Sequence, residues 1–264
     1  MSKSSDRPPF GAPFHVARDG GPTWRPGRLA SVVVEELAHQ IIGGSLMEGE
    51  ILPTEPALCE HFGFSRTVIR EGVKLLEERG LVRVEQGRGT TVQPRNMWNF
   101  LDPVVIRIAL EYDHDMSLLD SLITVRRVLE QEMARAGTSR LTIGDLAALA
   151  ENIEQMETSY DDYERYRTFD LAFHMIVMKA SLNEVGLTIV RTIHRYGGVA
   201  PSLSAASSRE LLERTVNDHR AIYEALAGGD GERAGELISA HIANAWAERK
   251  KKNVGALDKK ASFV

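Results

Sequence analysis

The sequence predicts a mainly α protein in two parts: three helices with a two-stranded hairpin, followed by an all-helical bundle. Three observations predict it. From residue 28 onward apolar side chains recur at steps of three and four in one stretch after another. Residues 81–92 alone switch to a period of two, around a glycine-rich tip. From 118 to 249 only helical patterns follow, punctuated by Gly137, Asn183, Gly197-Gly198 and Gly228-Gly229.

Composition bounds the function. The 264 residues, 43% apolar and 26% charged, suit two modest globular domains. Apolar runs such as 32–34 and 175–178 break at a charge within a few residues, far short of the roughly 20 needed to span a bilayer, so no membrane role is expected. Cys59 is the single cysteine and excludes an intramolecular disulfide, and the polar start offers no signal segment. The expected location is the cytoplasm. A formal net charge of −5 argues against coating nucleic acid by bulk charge, so any DNA contact must come from a local basic surface.

Half of the ten prolines, Pro8, Pro9, Pro13, Pro22 and Pro26, lie in residues 1–27, which are expected to form a mobile tail. Leu29, Val32, Val33, Leu37, Ile41 and Ile42 then mark one amphipathic helix, stopped by Gly43-Gly44. Thr54 as cap and Pro56 in the first turn open a short helix through Leu58 to Phe62, ended by Gly63. Ser65 caps a third helix. Its Val68, Ile69, Val73, Leu75 and Leu76 face a core, while Arg66, Thr67, Arg70 and Lys74 lie opposite, and Gly80 ends it. The alternation over 81–85, the tip Gln86-Gly87-Arg88-Gly89 and the return over 90–92 make a hairpin. Residues 96–114 read as a linker with a helix capped by Asp102. The bundle, 115–250, holds six helices at 118–136, 143–156, 163–180, 184–195, 209–226 and 232–249, and 251–264 read as a polar tail.

The order helix, helix, short turn, helix, hairpin over 28–95 is that of a winged helix-turn-helix, whose third helix enters a DNA major groove. Arg66 and Arg70, four residues apart, share a helix face from which they reach guanine edges or phosphates. Thr67 and the Ser65 backbone are placed for phosphate contact at the helix start. Arg88, flanked by Gly87 and Gly89, has room to enter a minor groove. Residues 28–95 hold eight basic and ten acidic side chains, but 65–95 hold seven basic against four acidic, so the positive surface is local.

Among the eight histidines, His15, His39, His61 and His194 read as ordinary tail, surface or core residues. His114-Asp115 lies in a polar turn where Asp115 is expected to cap the next helix. Asp170 and His174 differ, because i and i+4 on a largely apolar helix project together and a buried carboxylate needs a partner. His219 and His241 lie on the last two helices, which the Gly228-Gly229-Asp230 turn folds back antiparallel. One carboxylate and three imidazoles suit a divalent ion, Zn²⁺ first and Ni²⁺ or Mn²⁺ as alternatives, with coordination positions left for an anionic ligand. Spacing alone does not bring the three helices together.

The residues Leu52-Pro-Thr-Glu, 62–71 (Phe-Gly-Phe-Ser-Arg-Thr-Val-Ile-Arg-Glu), Leu76-Glu77 with Gly80-Leu81, and Gly87-Arg88-Gly89-Thr90 resemble the winged helix of GntR-type bacterial transcriptional regulators. The resemblance implies contacts to operator DNA from Arg66, Thr67, Arg70 and the wing glycine. Many relatives carry arginine where Pro56 stands, so their operator does not carry over to this chain. Arg126-x-x-Leu129-Glu130, Asp170-x-x-Phe173-His174, Asn183, His219-x-x-Ile222 and His241-Ile242 resemble the FCD ligand-sensing domain of the FadR branch, from about 115 to 249. It implies that Asp170, His174, His219 and His241 bind the ion and that Arg126 faces the effector cavity, where it can hold a carboxylate through two parallel hydrogen bonds. The spacing equally allows Arg126 an ion pair with Glu130, one turn away. The junction, Val92-Gln-Pro94-Arg95-Asn96-x-Trp98-Asn99-x-Leu101-Asp102, resembles repressors of sugar-acid catabolism, the galactonate-operon subgroup in particular.

The resulting expectation is a non-enzymatic, homodimeric repressor on a pseudo-palindromic double-stranded operator. Its small carboxylate effector, an aldonate or related hydroxy acid, would bind beside the ion. Two other readings use the same residues: a structural ion with a different carboxylate or acyl effector, and a metal-dependent hydrolase with a DNA-binding domain.

Overall fold

The computed structural model describes residues 26–197 and 208–261, which fall into two compact units divided between Tyr112 and Asp113. The expected tail over 1–27 lies outside the described residues up to 25.

The first unit begins with α1 (Pro26–Ile42), opened by a proline where its missing N–H costs nothing. α2 (Glu55–Phe62) and α3 (Arg66–Glu78) follow, with Thr54 and Ser65 at their N-cap positions in extended backbone. Neither side chain makes a cap hydrogen bond, so the positions are as expected but the bonds are not formed. Gly63 ends α2 at φ 67°, a left-handed conformation costly to any residue with a Cβ, and this sets the tight turn into α3. Val68, Ile69 and Leu76 of α3 are buried where α3 packs on α1, which contributes Val33, Leu37 and Ile41. β1 (Val82–Glu85) and β2 (Gly89–Val92) are antiparallel, from Val82 opposite Val92 to Glu85 opposite Gly89, and 86–88 form the tip. Residues 96–112 hold more than a linker. α4 (Pro103–Glu111), capped by Asp102 accepting from the N–H groups of Val104 and Val105, buries Val105, Ile106, Ile108 and Ala109 and packs on α1. Arg107 ties α4 to Glu35 of α1.

The second unit is helical: α5 (Ser117–Gly137), α6 (Ile143–Glu157), α7 (Tyr163–Ala180), α8 (Glu184–Gly197), α9 (Arg209–Ala227) and α10 (Gly231–Ala261). At the start of α5 the main cap is Asp113, which accepts from Leu118 N and Leu119 N at 2.9 Å each, while Asp115 accepts from the backbone N–H of Ser117 at 3.1 Å. The left-handed Met116 between them, at φ 58°, turns the chain so that the earlier aspartate reaches the exposed amides. Thr142 and Asp145 form a capping box on α6. α10 does not stop near 249 but runs on to Ala261, within the stretch read as a tail. Its lysines, alanines and Leu257 are good helix formers and no proline intervenes. α10 lies close along α5, so that a Cβ on Gly235 would sit 2.7 Å from the carbonyl of Gln131. Phe173, Val177, Val190, Val216, Ile222 and Ile238 are each at most 1% exposed and form the core around which α5 to α10 assemble. Among the described residues no helix is long and apolar enough to cross a membrane.

Candidate functional sites

In the second unit α7 supplies Asp170 and His174, α9 His219 and α10 His241. One ligand atom from each lies within 4.8 Å of the others. The rings of His219 and His241 are 4.5 Å apart between centroids, and His174 is 5.4 Å from both. All three imidazoles are nearly or fully buried. The four residues predicted to meet therefore do meet.

Second partners fix how the imidazoles face one another. His219 Nδ1 donates to the carbonyl of Thr215 at 2.8 Å, and a carbonyl can only accept, so the proton of a neutral ring sits on Nδ1 and Nε2 is a bare lone pair. His174 Nδ1 donates to Glu130 Oε2 at 2.6 Å, and His241 Nδ1 faces Asp218 Oδ2 at 3.3 Å. This leaves His219 Nε2 directed at Asp170, while His174 Nε2 lies 3.4 Å from Arg126 Nη2. Burial, then the charge of His241, pushes His219 down to about 3, and burial likewise lowers His241. Burial would raise Asp170, but the imidazoles of His174, His219 and His241 and the Arg126 guanidinium outweigh it and hold the carboxyl well below the usual range.

This donor set fits a divalent cation. Asp170 Oδ1 lies 3.3 Å from His219 Nε2, yet that nitrogen is buried with no hydrogen-bond partner. A carboxylate oxygen and an imidazole lone pair aimed at one place need a cation between them. Glu130, His174 and His194 form a second close group, but there the atoms already pair with one another. Arg126 Nε also lies 2.5 Å from Glu130 Oε1, filling with a guanidinium the place a cation would take. That group supports the first. Burial raises the Glu130 carboxyl, but Arg126 and His174 overcome it and keep it well below normal. Replacing Glu130 with Gln is expected to weaken divalent-ion affinity by about 10–100-fold, read by competition with a coloured chelator.

A cavity adjoins the cluster, lined by Asp170, His241 and Arg126 at one end. Arg126 is ion-paired with Glu130 and also lines this cavity. His194, read as ordinary, donates from Nε2 to Glu130 Oε1 at 3.0 Å, and burial, then the Arg126 charge, pushes it down to about 4. Thr215 stands one turn before His219, a spacing visible in the sequence, whereas Asp218 and His194 reach their partners from other helices without a sequence signal.

In the first unit Ser65, Arg66, Thr67 and Arg70 are exposed along the start of α3, and Arg70 pairs loosely with Glu55 at 3.6 Å. Gly87, at φ 79°, and Arg88 are exposed at the hairpin tip, where Arg88 is 3.7 Å from Glu85.

Residues 29–92 match the family described as bacterial regulatory proteins, gntR family, and residues 121–244 match the FCD domain. The chain is 30% identical to the galactonate operon transcriptional repressor of Escherichia coli K12, over 80% of this chain and 93% of that protein. It is 29% identical to the Glc operon transcriptional activator of the same strain, over 75% of this chain and 80% of the relative. The fold is shared with a solved structure of Lar, which is described as controlling the Listeria monocytogenes agr system. That likeness has a TM-score of 0.56 at 21% identity and covers 87% of this chain and 99% of that one.

Proposed function

Because the chain belongs to the gntR family of bacterial regulatory proteins and carries an FCD domain, we propose that it is a homodimeric repressor of sugar-acid or related hydroxy-acid catabolism, responding to an effector bound beside a divalent ion. It is a DNA-binding transcriptional regulator, not an enzyme. The observation that carries the effector reading is the convergence of Asp170, His174, His219 and His241 at the end of a cavity that Arg126 also lines.

Those four residues would hold the ion, Zn²⁺ before Ni²⁺ or Mn²⁺, and the ion would offer open coordination positions to a carboxylate and its neighbouring hydroxyl. Arg126 would bind and orient the carboxylate, and the apolar wall around Leu122 and Ile242 would exclude water from the chain behind it. In the first unit Ser65, Arg66, Thr67, Arg70, Gly87 and Arg88 would contact the operator, a pseudo-palindrome that matches the two-fold axis of a dimer. The effector can shift DNA affinity only by the difference in its own affinity for two states of the protein.

The test is thermal unfolding of zinc-loaded and chelator-treated protein with sugar acids, dicarboxylates and acyl compounds. An acid present at 100 times its dissociation constant is expected to add about 2.7 kcal/mol of stability, and chelation to abolish the gain. A gain that survives chelation makes the ion structural, and no gain with any hydroxy acid removes the assigned signal. Operator binding titrated with the same acid then reads the sign, release for a repressor.

A further inference from the structure

We propose that the effector carries a second anionic group, bound by Arg249 at the end of the cavity away from Arg126 and the ion ligands. The inference rests on the effector reading above and specifies the chemistry of the molecule.

The cavity is extended along its helices. Along α7, Tyr163 precedes Asp170 by seven residues, roughly 10 Å at the rise of an α-helix, and along α10 Arg249 follows His241 by eight, roughly 12 Å. Arg249 Nη2 donates to Tyr163 Oη at 3.3 Å, which joins these two remote residues into one far end. Both line the same cavity as Asp170 and His241. Arg167, one turn before Asp170 on α7, lines it between the two ends.

Arg249 brings to this far end a positive charge that has no fixed counter-ion among the described residues. Arg249 is half-buried, its hydrogen-bond partner is a neutral phenol, and among the described residues no carboxylate lies within ion-pair distance of it. The next residue, Lys250, is by contrast matched to Asp120 at 2.7 Å, and Trp246 Nε1 donates to the same carboxylate at 2.6 Å, so Asp120 is already committed. A partly desolvated guanidinium facing a cavity is a ready receptor for carboxylate or phosphate, which it binds through paired N–H donors. Between the ends Leu122, Leu212, Ile242 and Trp246 offer surface to a carbon chain. A single-headed acid would fill the Arg126 end and leave Arg249 unmatched. An acid with a terminal carboxylate or phosphate, an aldarate or a phosphorylated aldonate, would satisfy both ends.

Calorimetric titration of the zinc-loaded full-length protein tests this with matched acids: galactonate, galactarate, and galactonate phosphorylated at its terminal carbon. One dianion is expected to bind at least about tenfold tighter than galactonate, and which one it is identifies the second group as carboxylate or phosphate. In R249Q the ratio of dianion to galactonate affinity is expected to fall to near one, and in R249K part of it to return. Galactonate binding with no advantage for either dianion, or a ratio unchanged in R249Q, overturns the proposal and leaves the hydroxy-acid reading standing. Failure of all three acids to bind overturns both.

Discussion

His219→Ala is expected to lose tight divalent-ion binding, with affinity falling by more than about 100-fold, since loss of an outer partner alone costs about 10–100-fold. Metal analysis after dialysis against a weak chelator reads this directly. Retention of a full equivalent of ion would remove His219 from the site, and loss of ion with an intact effector response would favour a structural ion. The same residue, like His194, contributes to the acid sensitivity of the metal-free protein. Its pKa is pushed from 6.5 to about 3, so between those values the unfolded chain binds a proton that the folded chain refuses. Its contribution to stability is therefore full above the unfolded value and is lost as the pH drops below about 6.5. Asp170 and Glu130 act in the same direction lower down. Their carboxyls are held below normal when folded, so they stabilise above the unfolded carboxylate range and lose that contribution as the pH falls through their folded values. In urea unfolding of chelated protein, His219→Ala is expected to remove about 1.4 kcal/mol per pH unit from the slope between pH 4 and 6. An unchanged slope would show that the imidazole is not held neutral.

Local periodicity made most of the fold legible. The helices of the second unit begin within a residue or two of their predicted starts, because apolar spacing and the glycine stops between helices are local signals. What stayed hidden was tertiary. The run Val-Val-Ile-Arg-Ile-Ala-Leu over 104–110 looks like a linker helix until α1 is seen to bury Val105 and Ile108, and nothing near Asp113 ranks it above Asp115 as a cap until Met116 adopts a positive φ. The candidate site divides in the same way. Asp170 and His174 are legible as a pair because helix geometry puts i and i+4 together. Their meeting with His219 and His241, and the part played by His194 beside Glu130, depend on how α5, α7, α8, α9 and α10 pack, which spacing within one helix does not encode. The far end of the cavity is equally silent in sequence, since Arg249 and Tyr163 lie 86 residues apart.

Arg70→Ala is expected to weaken operator binding by about 1–3 kcal/mol if the guanidinium reads a base through two hydrogen bonds. The structure makes that loss nearly pure. Arg70 is 73% exposed and its partner Glu55 48% exposed at 3.6 Å, and such surface pairs contribute only about 0–1 kcal/mol, so the free protein gives up little when the arginine turns to DNA or is removed. The fold itself is insulated, because α3 is held by Val68, Ile69 and Leu76 on the opposite face. Circular dichroism and the melting temperature should therefore match the parent within error while operator affinity drops. Two further readouts separate base from phosphate. A base reader relaxes specificity at one operator position and leaves non-specific binding nearly intact, whereas a phosphate contact weakens all sequences alike and lowers the salt slope by about 1. Arg66→Ala, one turn earlier on the same exposed face, gives the comparison within one helix. If both variants bind the operator as the parent does, α3 does not lie in the groove and the hairpin arginine, Arg88, becomes the residue to replace next.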